Sequence, residues 1–251
     1  MERNKVAIGW IDSGSVTSGF AAYISQILLH RSDMINSVVV SSGSYLSANR
    51  NTMVKTFLFE TDAEWLLSLD SDLLIDLDSF DALLDSADAT KHQVLAGKYY
   101  LPLDTGPELA VQQWHPDLAE VGTWIPYDDE RLNKPIIDNL HSVGAGYMLV
   151  HRKVFETILE NSVNPMPWFQ DYWMDFPYNS WCSDDIHFFT EVHKYNFNVA
   201  LCTKATSTHL KTTRLNDDTW LSFRNFNKYQ QEKHYQSGKT KSWWVKGKGN
   251  K

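Results

Sequence analysis

The sequence is poor in the features that mark secreted and membrane proteins. It contains two cysteines, Cys182 and Cys202, which are too few for a disulfide framework or a zinc site, so we interpret them as free thiols. No apolar run reaches the roughly 18 residues that a membrane span needs. The first residues pass directly into a strand-like segment, without the apolar region of a signal peptide. We therefore expect no transmembrane segment and a cytoplasmic location.

Positive charge is scarce in most of the chain and is concentrated at its end. The formal net charge is −8 over 251 residues, yet residues 211–251 carry ten Lys and Arg against three acids, a local charge of +7. The lysines there are interleaved with Trp243 and Trp244. This pattern is typical of a segment that contacts nucleic acid or an anionic surface, although a solvated chain end has the same composition. We therefore predict a domain over 1–210, followed by a basic C-terminal extension over 211–251.

Apolar segments alternate between the spacing of strands and that of helices. The spacing predicts strands at 6–11, 38–40, 65–69, 94–97, 147–150 and 197–202. It predicts helices at about 17–28, 49–59, 78–87, 153–159 and 185–195, whereas 99–135 is irregular. Such alternation predicts a single α/β domain, in which helices cover both faces of a mostly parallel sheet. In sheets of this kind ligands gather at the carboxyl ends of the strands.

Two aspartates stand directly after the third predicted strand. In Asp70-Ser71-Asp72 the carboxylates are one residue apart, at the point where strand pairing ends. Carboxylate oxygens suit Mg²⁺ or Mn²⁺, which readily share their coordination with diphosphate oxygens. The same spacing recurs at Asp76 and Asp78, but that pair stands where a helix cap is expected. We therefore expect the functional carboxylates to be Asp70 and Asp72, although two acids at a strand end also occur as solvated turn residues.

Three other clusters have both a structural and a functional interpretation. Asp184 and Asp185 open a predicted helix, where acids favour the helix dipole or hold an acceptor hydroxyl. His209 follows the last predicted strand, and a single histidine is by itself unremarkable. The segment Gly144-Ala145-Gly146 permits either a tight bend or a close approach of backbone to a ligand.

In this order, the clusters resemble those of the GT-A glycosyltransferases over roughly residues 5–210. Asp70-Ser71-Asp72 looks like the Asp-x-Asp metal motif of that family. Gly144-Ala145-Gly146 and the strand after it are similar to the acceptor-side loop and strand. Ser183-Asp184-Asp185-Ile186 is similar to a Ser-Glu-Asp-Ile/Val segment, from which it departs because Asp184 replaces the commoner Glu. Arg50-Asn51 resembles an Arg-Asn pair near the nucleotide in small phage-encoded members.

The resemblance implies a fold, a reaction and a role for each residue. It implies a nucleotide-sugar half at about 1–100 and an acceptor half at about 101–210. Asp72 and His209 would hold Mn²⁺ or Mg²⁺ against the donor diphosphate, with Asp70 at the metal or the ribose. Asp12 and Ser13 would meet the nucleoside of a donor such as a UDP-sugar, with Ser71 beside them and Arg50 near the base or diphosphate.

The resemblance also implies an acceptor side. In an inverting hexosyl or pentosyl transfer, Asp185 would be the general base, and Asp184 would position the acceptor or the donor sugar. A retaining transfer needs no such base. Gly144, Ala145, Gly146 and Trp181 would line the acceptor side, and Trp181 closes an aromatic-rich stretch at 168–181 that is typical of either core packing or a stacking wall.

Two other function classes share parts of this pattern. A metal-dependent nucleotidyltransferase also uses paired carboxylates, but a basic Gly-rich phosphate loop is expected near its first strand, and Asp12-Ser13-Gly14-Ser15 lacks the basic residue. A non-catalytic carbohydrate-binding protein would account for the ten tryptophans but has no use for a metal and diphosphate site. The sequence leaves the acceptor open among a protein, a glycan and a modified DNA base, and a phage origin would place the enzyme in the host cytoplasm.

Overall fold

A computed structural model describes residues 5–103, 106–117, 122–126, 128–174 and 180–211. The chain divides into two units at Leu210, and all of the second except Lys211 lies outside these described residues. The predicted basic extension, with Trp243 and Trp244, is therefore outside them, as are residues 175–179 of the aromatic stretch. Within the described part of the chain, no helix is both long and apolar enough to span a bilayer.

The described elements alternate strand and helix through the first half of the chain. The helices are α1 (Ser18–His30), α2 (Leu46–Glu60), α3 (Leu77–Asp85), α4 (Arg152–Glu160) and α5 (Asp184–Lys194), with one 3₁₀ turn at Glu130–Asn133. The strands up to residue 114 are β1 (Val6–Asp12), β2 (Ile35–Ser42), β3 (Trp65–Asp70), β4 (Leu73–Leu74), β5 (Val94–Lys98), β6 (Tyr100–Leu103), β7 (Gly106–Leu109) and β8 (Val111–Trp114). Those after it are β9 (Gly122–Trp124), β10 (Ile136–Ile137), β11 (Ser142–Val143), β12 (Tyr147–His151), β13 (Tyr172–Met174), β14 (Ser180–Cys182), β15 (Val199–Thr206) and β16 (Thr208–His209).

The main sheet has the order β10-β15-β5-β12-β3-β1-β2. Strand β1 is parallel to β2 and β3, and β15 is parallel to β5, so the predicted mostly parallel α/β sheet is confirmed. Strand β12 is antiparallel to both of its neighbours, β3 and β5. All six predicted strands and all five predicted helices are present.

The sheet buries a hydrophobic layer on each face, because successive side chains of a strand point to opposite sides. Ala7 packs in one layer with side chains of α2, α4 and α5, such as Phe57, Phe155 and Phe188. Its neighbour Ile8 packs in the other layer with side chains of α1 and α3, such as Phe20. Asp12 and Asp70, the last residues of β1 and β3, are partly exposed.

Short polar side chains cap the N-termini of two helices, α1 and α3. The Thr17 hydroxyl accepts a hydrogen bond from the Phe20 amide at 3.1 Å, and Asp76 Oδ1 accepts one from the Ser79 amide at 2.8 Å. Each of these bonds satisfies one of the amides that a helix leaves unpaired at its start. Asp76 is therefore the N-terminal cap of α3, as its position in the sequence predicts.

The segment 99–135, predicted to be irregular, contributes strands to small antiparallel sheets. Strands β6 and β7 pair with each other, and β8 lies between β9 and β11. Strand β16 pairs with β4, so that His209 lies opposite Leu73. This last pairing brings the end of the described chain back to the segment that follows Asp72.

Candidate functional site

The carboxyl ends of β1 and β3 open into a cavity of about 290 Å³. The cavity contains five of the residues predicted for the donor side, namely Asp12, Ser13, Asp70, Ser71 and Asp72. The segment between β2 and α2 supplies the opposite wall through Gly43, Ser44 and Asn49. Strand ends that are adjacent in a parallel sheet meet at one edge, which is why residues 58 positions apart in the sequence line one cavity.

Asp12 is held in place by several donors. Its Oδ1 accepts from the Ser42 hydroxyl at 2.7 Å and from the Gly14 amide at 2.7 Å, and its Oδ2 accepts from Trp10 Nε1 at 3.2 Å. The bond from Ser42 is the largest cause that lowers the pKa of Asp12, and the bonds from Gly14 and Trp10 act in the same direction. Asp12 is therefore a fixed anion at the end of β1.

Asp72 lies against the predicted histidine. Asp72 Oδ2 is 3.2 Å from His209 Nε2, and the side chain of His209 is 9% exposed. The other ring nitrogen, Nδ1, is 2.7 Å from the carbonyl oxygen of Tyr100 and must carry a proton to donate to it. In a neutral ring, Nε2 then presents a lone pair to a carboxylate oxygen, a contact that requires a proton or a cation between the two atoms.

This pair of side chains fits a metal that is shared with a substrate. Among the described residues, no group of three His, Cys, Asp or Glu side chains can hold a metal by itself. Mg²⁺ and Mn²⁺ bind through one or two protein ligands together with substrate phosphates, so a fully protein-built cage is not required. The Nε2 of His209 and the carboxylate of Asp72 supply two such ligands beside the cavity.

Asp70 and Asp184 are both hydrogen-bonded to Arg50. The Arg50 side chain is buried in α2 and donates from Nη2 to Asp70 Oδ1 at 3.1 Å. Its Nη1 donates to both carboxylate oxygens of Asp184, at 3.1 and 2.8 Å. Arg50 thus bridges the end of β3 and the start of α5, and its predicted place near the base or diphosphate of the donor stays a prediction.

Burial and charge oppose each other in this cluster. Burial by itself lowers the pKa of Arg50, but the carboxylates of Asp70 and Asp184 outweigh burial and raise it, so the guanidinium is charged. Burial, together with repulsion from Asp185 and Asp171, raises the pKa of Asp184, although Arg50 acts in the opposite direction. The two groups still form a buried contact, in which both carboxylate oxygens of Asp184 accept from Arg50 Nη1.

The two adjacent acids of α5 have different surroundings. Asp184 is 3% exposed and bonded to Arg50, and its role in positioning the acceptor or the donor sugar stays a prediction. Asp185 is partly exposed, and its Oδ1 accepts from the Ser183 hydroxyl and, at 2.9 Å, from the Ile186 amide. Asp185 is therefore the acid of this pair that a substrate can reach.

A second cavity, of about 240 Å³, has Asp185 in its wall. The small sheet β11-β8-β9 and Tyr99 contribute to the rest of its wall, which also includes Gly144 of the predicted acceptor-side segment. A further cavity, of about 450 Å³, lies against Asn51 and Phe169 and contains none of the predicted site residues.

The two glycines of Gly144-Ala145-Gly146 are explained by close packing. A Cβ atom at Gly144 would lie 1.8 Å from the Tyr99 hydroxyl, and one at Gly146 would lie 2.6 Å from Asp70 Oδ2. Between them, the Ala145 carbonyl accepts from the Ser68 hydroxyl at 3.4 Å. The segment therefore joins Asp70 to the second cavity, and it needs glycine because side chains approach its backbone.

Trp181 lies outside both cavities. It is 72% exposed on the hairpin of β13 and β14, and its ring meets that of Trp173 edge to face at 5.8 Å. Elsewhere in the aromatic stretch, Trp168 and Phe169 are buried in the core. The stretch 168–181 thus contains both core packing and an exposed aromatic pair.

Sequence reasoning missed the residues that form the wall of the second cavity. Tyr99, Gln112 and Trp124 stand in the irregular region, where no periodic pattern marks them. It also missed the Arg50–Asp184 contact, which joins positions 134 residues apart. A buried arginine with two carboxylate partners has no local sequence signal.

Three comparisons relate the chain to known proteins. The family model described as glycosyl transferase family 2 matches residues 2–159, which is more than half of the chain. The crystal structure of A197 from STIV is 18% identical, with a TM-score of 0.45, over 83% of this chain and 86% of that one. The crystal structure of GalNAc-T7 with UDP, GalNAc and Mn²⁺ is 9% identical, with a TM-score of 0.48, over 84% of this chain and 45% of that one. The search of curated proteins finds no match.

Proposed function

The chain belongs to glycosyl transferase family 2, and on that premise we propose that it is a metal-dependent enzyme that transfers a hexose or pentose from a nucleotide-sugar donor to an acceptor hydroxyl. The observation that carries the metal dependence is the contact between Asp72 and His209. Asp72 Oδ2 and His209 Nε2 are 3.2 Å apart, and Asp72 lines the cavity at the ends of β1 and β3. Two protein ligands next to an open cavity fit a cation that completes its coordination with the donor diphosphate.

On the donor side, we assign the nucleoside to Asp12 and Ser13, as is implied for a UDP-sugar. Asp72 and His209 are assigned to Mn²⁺ or Mg²⁺, and Ser71 and Asp70 to the adjoining ribose or metal. The cation, when bound, neutralises charge that develops on the departing nucleoside diphosphate. The Arg50 bridge keeps the Asp70 carboxylate at the edge of this cavity and supplies a fixed positive charge next to it.

On the acceptor side, we assign the general base to Asp185. The acceptor oxygen attacks the anomeric carbon, the bond from that carbon to the diphosphate oxygen breaks, and the hydroxyl proton passes to the Asp185 carboxylate. This assignment predicts inversion at the anomeric carbon, which NMR of the product tests directly. Asp184 acts through Arg50 as a positioning residue, since its carboxylate is buried in the ion pair.

A thermal-shift screen tests the donor site. The protein is melted with UDP, GDP, CDP and dTDP and their sugar conjugates, each with Mn²⁺, with Mg²⁺ and with excess EDTA. We expect one nucleotide to raise the melting temperature only with a divalent cation, because binding to the native state stabilises it. Metal-dependent release of nucleoside diphosphate from the matching donor is the companion activity assay.

Asp72→Asn is the decisive variant, because it preserves shape and removes one charge. It should abolish both the metal-dependent shift and the release of nucleoside diphosphate while the protein remains folded. Asp78→Asn is its matched control, an exposed aspartate of α3 outside the cavity, and should behave as the native protein. Full turnover in EDTA, or native metal-dependent binding by Asp72→Asn, would refute the metal site.

The basic extension 211–251 stays a proposed contact with nucleic acid or an anionic surface. A cytoplasmic location is likewise proposed, and in a phage-encoded enzyme it would be the host cytoplasm.

A further inference from the structure

The cavity that contains Asp185 differs in character from the donor-side cavity. Its volume of about 240 Å³ is close to the 290 Å³ or so of the donor-side cavity, so the two cavities differ in their walls and not in their size. Asp185 lies in its wall next to Ser183 and Ile186. A hydroxyl bound here would reach the proposed base directly.

The charge of the wall is one-sided. Asp185 is acidic, and among the described residues no Lys, Arg or His lines the cavity. Arg50 attracts the Asp185 carboxylate electrostatically, but it does not line the cavity, and its guanidinium is bonded to Asp184 and Asp70. A phosphate or carboxylate in the cavity would therefore meet the charge of Asp185 without a partner, and like charges at short range in a partly dry site repel strongly.

The rest of the wall suits a ring with an apolar face and polar edges. Trp124 is 38% exposed and stands opposite Gln112 in the pairing of β9 with β8, so both side chains lie on one face of the small sheet. The Ser142 hydroxyl donates to Gln112 Oε1 at 3.0 Å, which fixes the carboxamide oxygen and orients its amino group as a donor. An indole presents a flat apolar surface to the C–H face of a sugar, while an amide and a carboxylate bind its hydroxyls.

We propose that this cavity binds the acceptor as an uncharged sugar ring, with Trp124 against its C–H face, Gln112 at a hydroxyl and Asp185 at the reacting hydroxyl. The inference rests on the proposed function and names its acceptor class. A saccharide, and not a nucleic acid or a phosphorylated or carboxylated acceptor, is the substrate that such a wall selects.

Matched acceptors test the charge argument. The full-length protein, with Mn²⁺ and the donor found in the thermal screen, is given methyl glucoside or galactoside, the corresponding methyl glucuronide or galacturonide, and duplex DNA containing 5-hydroxymethylcytosine. The measurement is acceptor-dependent release of nucleoside diphosphate. We expect at least one neutral glycoside to be used at least about tenfold more efficiently than its uronide, and the duplex not to be used.

Binding measurements separate the wall residues from folding effects. In saturation-transfer NMR with nucleoside diphosphate and Mn²⁺ present, the native protein should bind the neutral glycoside and not the uronide. Asp185→Asn should bind both, because the repelling charge is gone. Trp124→Ala should weaken the neutral glycoside by roughly tenfold and Trp124→Phe much less, since the phenyl ring keeps a stacking surface. Phe59→Ala, an exposed aromatic of α2 outside the cavity, is the control.

The possible outcomes are distinguishable from failure of the proposed function. If no nucleotide binds with a metal, the proposed function itself fails. If the donor binds and is hydrolysed, but the uronide or the duplex is used as well as the neutral glycosides, or no neutral glycoside is used, the inference is overturned. Unchanged binding in folded Trp124→Ala, or continued exclusion of the uronide by Asp185→Asn, also overturns it.

Discussion

Removal of the Arg50 guanidinium tests the buried bridge between the two halves of the site. Arg50→Met keeps a long side chain and removes the cation. The Asp184 carboxylate, which is 3% exposed in the native protein, then has lost its charged partner. Loss of one partner from a buried ion pair costs about 3–5 kcal/mol. For a domain of this size each kcal/mol lowers the melting temperature by roughly 2–4 °C. We therefore expect a fall of roughly 6–20 °C.

The loss should depend on pH with a definite sign. Burial already raises the pKa of Asp184 above its ordinary value in the native protein, and without Arg50 it rises further. An acid whose folded-state pKa is raised stabilises the fold most at low pH, where it is protonated, and this stability is lost as the pH rises through the folded-state pKa. The difference in unfolding free energy between Arg50→Met and the native protein should therefore be smaller at pH 5 than at pH 8.

Urea unfolding followed by circular dichroism at the two pH values measures both effects. Arg50→Met/Asp184→Asn, in which neither charge remains, should recover at least half of the loss and most of its pH dependence. Arg31→Met is the matched control, because its ion pair with Asp81 is about one-third exposed and should matter much less. A loss for Arg50→Met below about 1 kcal/mol, or a larger loss that is equal at both pH values and not recovered by the double variant, would refute the reasoning.

Three other outcomes are expected. Asp185→Asn should reduce sugar transfer by roughly 10²–10⁴-fold in an assay of labelled product while metal-dependent nucleotide binding persists, and loss of nucleotide binding would instead assign Asp185 to the donor site. Gly144→Ala should lower stability by roughly 1–3 kcal/mol in urea unfolding, since its Cβ would lie 1.8 Å from the Tyr99 hydroxyl, and a native unfolding curve would contradict this packing. A shortened protein that ends at Gly238 lacks Trp243 and the surrounding lysines, and it should lose any salt-sensitive binding to duplex DNA in a mobility-shift titration. Equal binding by the shortened and the full-length protein would show that residues 239–251 are not the contact.

Much of the fold was predictable from the sequence, because its signals are local. The runs Val6–Ile11 and Trp65–Leu69 are apolar throughout, as strands covered on both faces must be, and both are strands of the main sheet. The sequence predicts that ligands gather at the carboxyl ends of the strands, and Asp70 and Asp72 after β3 line one cavity with Asp12 at the end of β1. The family model, more than any single motif, favours a glycosyltransferase over a nucleotidyltransferase.

The structure decided what depends on contacts between distant segments. Strand β12 runs antiparallel between β3 and β5, a direction that its apolar sequence does not encode. Asp184 and Asp185 are adjacent acids with the same chemistry. Asp184 is bonded to Arg50, 134 residues away in the sequence, whereas Asp185 lines the second cavity.

The cavity around Asp185 shows the same division between local and tertiary information. Its wall at Trp124 and Gln112 comes from the segment predicted to be irregular, in which these two residues are brought together by cross-strand pairing. Sequence alone determined which residue types stand at strand ends and helix starts, since these follow from periodicity and capping. Tertiary packing decided which of them are buried, paired or accessible, because desolvation and ion pairing depend on what the rest of the chain places beside each group.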